Sequence, residues 1–121
     1  MAKQTVPVQK PGTARRAWVR YPTNQEVCCQ PIAASTTGER EIGWVGRVRD
    51  ISSGGLVLVL RRRFEPGTLL IVELPDKAKG QVRPAPVRVV HVRLAGKRQY
   101  AMGCEFIAPL GKEELQRLLT V

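Results

Sequence analysis

The sequence predicts an all-β fold with one helix: a small six-stranded antiparallel β-barrel carrying a C-terminal α-helix. Three observations carry this expectation. Six short runs rich in Val, Leu and Ile are separated by Gly, Pro and Ser turn chemistry. One stretch near the C-terminus places apolar residues at helical spacing. The chain has 121 residues, the size of one domain, and 43% of them are apolar, enough for one core. Closing the sheet would remove the edges that strands this apolar would otherwise expose.

Residues 1–13 contain Pro7, Pro11 and Gly12 without any apolar period and read as a flexible arm, leaving 14–121 as the domain. Glu26–Ile32 is the first candidate strand, ended by the polar Ser35-Thr36-Thr37-Gly38. Trp44–Ile51 follows and breaks at Ser52-Ser53-Gly54-Gly55. Leu56–Leu60 is a continuous apolar strand that stops at Arg61-Arg62-Arg63, read as a solvated hairpin tip. After the Pro66-Gly67 turn, Leu70, Val72 and Leu74 alternate with more polar positions, so one face is buried. Pro75 to Pro86 reads as a polar loop. Val87–Leu94 is the fifth strand; its apolar parity shifts at Val89 and Val90, through a bulge or two half-buried faces. Tyr100–Phe106 is the last strand. Gly111 then precedes Lys112–Leu119, where Leu115, Leu118 and Leu119 share one helical face.

Twenty Lys and Arg against ten Asp and Glu give a net charge of +10, which predicts a polyanionic partner. The surplus is segregated. Residues 1–25 hold five bases and no acid, and residues 76–100 hold seven bases and one acid. Such clustering points to a localised anion site. No apolar run approaches the roughly 20 residues of a membrane helix. Met1–Lys10 lacks the apolar block of a secretion signal, so the expected location is the cytoplasm. Cys28, Cys29, Cys104 and His91 show no metal-ligand spacing, and an odd cysteine count speaks against a disulfide scaffold. No metal or cofactor is therefore expected. Cys28 and Cys29 should face opposite sides of one strand, one inside and one out. Trp44 is expected to pack and His91 to lie on an outer face. With no paired acid and base, no nucleophile elbow and no phosphate-binding Gly loop, the chain does not read as an enzyme.

Two motifs carry the functional information. Arg15-Arg16-Ala17-Trp18-Val19-Arg20 contains R-x-x-x-R at Arg16 and Arg20. With 14 arginines present, about one or two such matches arise by chance. Asp50-Ile51-Ser52-Ser53-Gly54-Gly55 contains D-x-S-x-x-G, for which about 0.01 chance matches are expected. At the least this second stretch is a Ser/Gly turn between strands.

Together the motifs resemble the PilZ domain, a bacterial receptor for the second messenger cyclic di-GMP. The Gly-Gly-Leu entry to a strand, Gly103-Cys104-Glu105-Phe106 and the closing Leu-rich helix extend the likeness over roughly residues 14–120. The resemblance implies a six-stranded barrel with a C-terminal helix and a ligand site of Arg15, Arg16, Arg20, Asp50, Ser52 and Gly55. The chemistry suits the ligand. Guanidiniums bond guanine O6 and N7 or phosphate. The Asp50 carboxylate accepts from the guanine N1–H and N2 amine, and the Ser52 hydroxyl adds a bond. Gly55 would let a base approach the backbone and would permit a positive φ. Four or five charge-assisted bonds, less the ordering of the arm, predict about micromolar affinity. In the family, an arginine where Arg15 stands goes with two ligands per protomer. One of Arg83, Arg88, Arg93 and Arg98 could reach the ligand from a neighbouring strand, and the sequence does not single it out. The resemblance further implies an adaptor that changes the surface seen by an unidentified effector protein. A small-barrel RNA- or DNA-binding protein is the alternative; six aromatic residues without ladder spacing speak against it. A barrel serving only protein–protein contacts is a third reading, opposed by the intact motifs.

Overall fold

The computed structural model describes residues 19–32, 43–76 and 79–119. Among these residues six strands run as β1 Tyr21–Pro31, β2 Trp44–Ile51, β3 Gly55–Leu60, β4 Leu69–Asp76, β5 Gln81–Gly96 and β6 Gln99–Phe106. Among the described residues one helix, α1, spans Lys112–Leu119. Every strand pairing is antiparallel, and the order β1-β2-β3-β6-β5-β4 closes because β1 pairs with β4. The expected arm of residues 1–13, together with Arg15, Arg16 and Trp18, lies outside the described residues.

Alternation, interrupted by bulges in β2 and β5, fills the barrel. Val48, Leu58, Leu70, Val72, Leu74, Val87 and Met102 are fully enclosed, and their neighbours along each strand face outward. At roughly 1.5–3 kcal/mol per buried aliphatic side chain, this interior is the main source of stability. Leu115 and Leu118 of α1 join the same cluster, and Gln25 Nε2 donates to the Leu118 carbonyl at 2.7 Å. The helix therefore covers the barrel end where β4 finishes and β5 begins. Its first turn is fixed by Glu114, whose Oε1 accepts the Gly111 N–H at 2.9 Å. Glu114 also pairs with Arg83 of β5, and Arg117 reaches the buried Asp76 at 3.6 Å.

Several sequence expectations need correction. The supposed loop Pro75–Pro86 is mostly strand: Gln81–Pro86 pairs residue by residue with Ile71–Asp76. Pro86 fits because its carbonyl accepts from Ile107 N at 3.0 Å, so its polar edge faces away from β4. The missing proline N–H thus removes no β4 bond, and Pro84 shares that parity. The first strand starts at Tyr21 rather than Glu26, its polar entry carried past a register shift between Pro22 and Gln25. Arg61-Arg62-Arg63 is not simply a solvated tip, since Arg62 lies 5.3 Å from the Trp44 ring centroid and 4.5 Å from that of Phe64. Trp44 packs against the core, Cys29 is buried, and Cys28 is half-buried on the outer side.

Candidate functional site

The D-x-S-x-x-G stretch occupies the end of β2, a tight turn and the start of β3. Register shifts between Val48 and Asp50, so Arg49 is the extra residue of a bulge. Val48 and Ile51, three apart, both point inward at 0% and 1% exposure, which simple alternation would forbid. The bulge resolves this by turning Arg49 and Asp50 outward together. Asp50 thereby presents its carboxylate on the barrel surface with its side chain 25% exposed.

Arg20, immediately before β1, meets that carboxylate: Nη1 donates to Asp50 Oδ1 at 2.8 Å. Thirty residues of sequence are thus brought into contact by the β1–β2 pairing, in which Tyr21 faces Ile51 and Pro22 faces Asp50. The pair is half exposed, and such surface pairs contribute only about 0.2–1 kcal/mol. One bond leaves Asp50 three further lone-pair positions and Arg20 four further N–H groups for a ligand.

Ser52 has a different environment. It is 6% exposed, and its Oγ accepts the N–H groups of Gly54 and Gly55 at 3.2 Å each while donating to the Gly55 carbonyl at 3.3 Å. Its own N–H donates to Gly55 O at 2.8 Å. The hydroxyl's donor and both acceptor positions are thus engaged within the turn that follows Asp50. Gly55 likewise is demanded by packing. A Cβ there would lie 2.1 Å from the Cys104 carbonyl oxygen on β6. The expectation of a positive φ at Gly55 is corrected: the described glycines with positive φ are Gly67, Gly80 and Gly96.

The arginines left undecided by sequence separate by geometry. Arg83 is tied to Glu114 of α1, and Arg88 to Glu105 of β6 at 3.0 Å. Arg98 sits in the β5–β6 turn with φ 57°. Arg93 lies on the outer face of β5 opposite Ala101 and forms no ion pair among the described residues. Further along β2 and β3, toward the Leu60 end of β3, lies an open cavity of about 650 Å³ with Arg47, Arg49 and Arg61 on its walls. Spacing gave no signal for these three, because strand arginines on a solvated face look alike in sequence. Among the described residues no group of three or more His, Cys, Asp or Glu could hold a metal, and no helix is long and apolar enough to cross a membrane.

No curated protein sequence matches the chain. Solved structures share its fold. The PilZ domain of YcgR from Escherichia coli, described with c-di-GMP, superposes with a TM-score of 0.60 at 16% identity, covering 86% of this chain and 88% of that one. The Bacillus subtilis inhibitor of motility MotI (DgrA) matches with a TM-score of 0.58 at 22% identity over 93% of this chain. The MrkH–c-di-GMP complex of K. pneumonia gives 0.55 at 17% identity over 93%. This chain spans about half the length of the last two, 49% in each case. The family model described as the PilZ domain matches residues 14–120, nearly the whole sequence, and the chain belongs to the PilZ domain family.

Proposed function

We propose that this PilZ domain is a receptor for cyclic di-GMP that acts as an adaptor rather than as an enzyme. The observation that carries the reading is the meeting of Arg20 and Asp50 at 2.8 Å beside the Ser52–Gly55 turn. A guanidinium and an acceptor-only carboxylate at one point match a guanine, which offers acceptors at O6 and N7 and donors at N1 and N2. The weakness of the exposed pair supports this use, because exchanging it for ligand bonds sacrifices little stability. Ligands named for the YcgR domain and the MrkH complex agree with this chemistry. In this reading Arg15 and Arg16, on the segment before Arg20, close over the ligand, and Arg15 supports a second ligand molecule. Ser52 and Gly55 hold the turn in shape. Capture draws the segment around residues 1–20 against the barrel and changes the surface offered to an effector protein in the cytoplasm. Such coupling requires that the ligand favour one arrangement of that segment.

An amide NMR titration with cyclic di-GMP, GTP and GMP tests the reading. Saturable shifts at Arg20, Asp50 and Gly55 with cyclic di-GMP alone are expected at about micromolar affinity. Arg20→Ala and Asp50→Ala should abolish them while moving stability by less than about 1 kcal/mol. Equal responses to all three nucleotides would overturn it, as would unfolding of Asp50→Ala.

A further inference from the structure

Arg20, Arg63, Arg83, Arg88 and Arg117 each already meet a carboxylate. Arg47, Arg49 and Arg61 form no ion pair among the described residues, and all three line the cavity of about 650 Å³ toward the Leu60 end of β3. At about 3.3 Å per residue, Leu60 lies roughly 17 Å along β3 from Gly55. Leu60 and Arg61 thus stand at the opposite end of the β2–β3 hairpin from the Asp50 turn. Lys97 and Arg98, exposed in the turn that leads to Gln99 on the cavity wall, extend the basic rim.

The polar groups of the wall define what fits. Arg47 donates one N–H to Asn24 Oδ1 at 3.3 Å and keeps the rest of its guanidinium for another acceptor. Arg47 and Arg49 are both exposed and stand two residues apart on β2, about 7 Å, which is also the spacing of alternate side chains in an extended peptide. Asn24 and Gln99 carry side-chain amides that both donate and accept. Glu26 faces Arg47 in the β1–β2 register, forms no ion pair among the described residues, and accepts only. A DNA phosphate strand has no donor for Glu26 and sets like charge against it, whereas an extended polypeptide brings backbone N–H groups. No lining residue is aromatic, so nucleic-acid bases find no stacking platform there.

We infer that this cavity is the docking surface for an acidic, extended segment of the effector protein. The inference rests on the receptor reading above for there being an effector, and it names that partner's chemistry. Carboxylates on alternate residues of the segment pair with Arg47, Arg49 and Arg61, and main-chain N–H groups turn toward Glu26. Arginine suits this task because its planar fork takes both oxygens of a carboxylate at once. The surface is separate from the Arg20–Asp50 pair, so the domain holds ligand and partner together. The two are joined through the entry of β1, where Pro22 faces Asp50 and Asn24 holds Arg47. Because these guanidiniums are exposed, the attraction is screened and binding weakens as salt rises.

Fluorescence anisotropy of the full chain with a labelled octaglutamate peptide, and separately with a labelled DNA duplex, provides the test, with circular dichroism to establish that each variant is folded. Wild type should bind the peptide, and Arg47→Gln combined with Arg61→Gln should weaken it about tenfold or more. Arg88→Gln combined with Lys112→Gln removes the same charge from residues that do not line the cavity, and should change the affinity by less than about twofold. Equal losses from the two doubles, or no peptide binding by wild type, overturn the docking surface. So does a duplex that binds more tightly than the peptide and is lost with Arg47 and Arg61, since the surface then takes nucleic acid. Titration of the same proteins with cyclic di-GMP keeps the two readings apart. If wild type binds cyclic di-GMP but the doubles do not differ toward the peptide, the docking surface alone falls. If the doubles differ as expected but wild type ignores cyclic di-GMP, the receptor reading alone falls.

Discussion

Gly55, the last position of the D-x-S-x-x-G motif, separates two physical roles that the sequence leaves merged. Replacing it by Ala puts a methyl group 2.1 Å from the Cys104 carbonyl oxygen, 3.1 Å from the Cys104 carbonyl carbon and 3.1 Å from the Glu105 Cα. Real Cβ atoms essentially never approach within 3.0 Å, and all three obstacles are backbone, which cannot rotate aside. Strand β3 must therefore draw away from β6. That strains the Leu56–Cys104 pairing and the bond from Phe106 N to Gly54 O at 2.9 Å, as well as the Ser52 turn. Overpacking costs about 1–3 kcal/mol where side chains can adjust, so the upper end, about 3 kcal/mol, applies here. With a urea dependence of about 1–3 kcal/mol per molar for a domain of this size, the unfolding midpoint should fall by at least about 1 M. Urea denaturation followed by circular dichroism reads this directly. If Gly55→Ala instead keeps the wild-type midpoint and loses only cyclic di-GMP binding, Gly55 serves ligand approach and the packing argument is wrong.

Ionisation offers two further checks. The Gly111 N–H and the nearby Arg83 guanidinium hold the Glu114 carboxyl below its ordinary value of 4.5, so its contribution is complete above that value and disappears as pH falls through the lower folded value. Thermal melts should show an acid-side loss of stability that Glu114→Gln reduces; an unchanged acid limb would refute the helix-capping role. Burial pushes the Cys29 and Cys104 thiols up to about 12, from an ordinary 9.0. Above pH 9 the unfolded chain releases protons that the folded chain retains, so stability should decline between pH 9 and about 12. Iodoacetamide at neutral pH should accordingly modify the half-buried Cys28 first; equal labelling of all three cysteines in the folded protein would contradict the burial.

Local pattern decided much of this protein. The bounds expected for β2 and α1 coincide with those observed, Trp44–Ile51 and Lys112–Leu119, because Val and Leu periodicity and the flanking Gly residues act over a few residues. The parity shift at Val89 and Val90 likewise reappears as a register shift between Val89 and His91. The strand Gln81–Pro86 was hidden because prolines ordinarily exclude a central strand. Only the path of β6, which leaves β4 as the sole partner of that stretch along the ladder, makes them tolerable. Motif spacing identified Arg20 and Asp50, but their contact depends on β1–β2 register and on the Arg49 bulge, which no spacing rule encodes. The same holds for Ser52, whose hydroxyl looks available in the sequence and is consumed by its own turn, and for the His91 ring resting over Gly103. Residue type determines what a side chain is able to bond; barrel closure, by bringing strands distant in sequence side by side, determines which of those bonds are already taken.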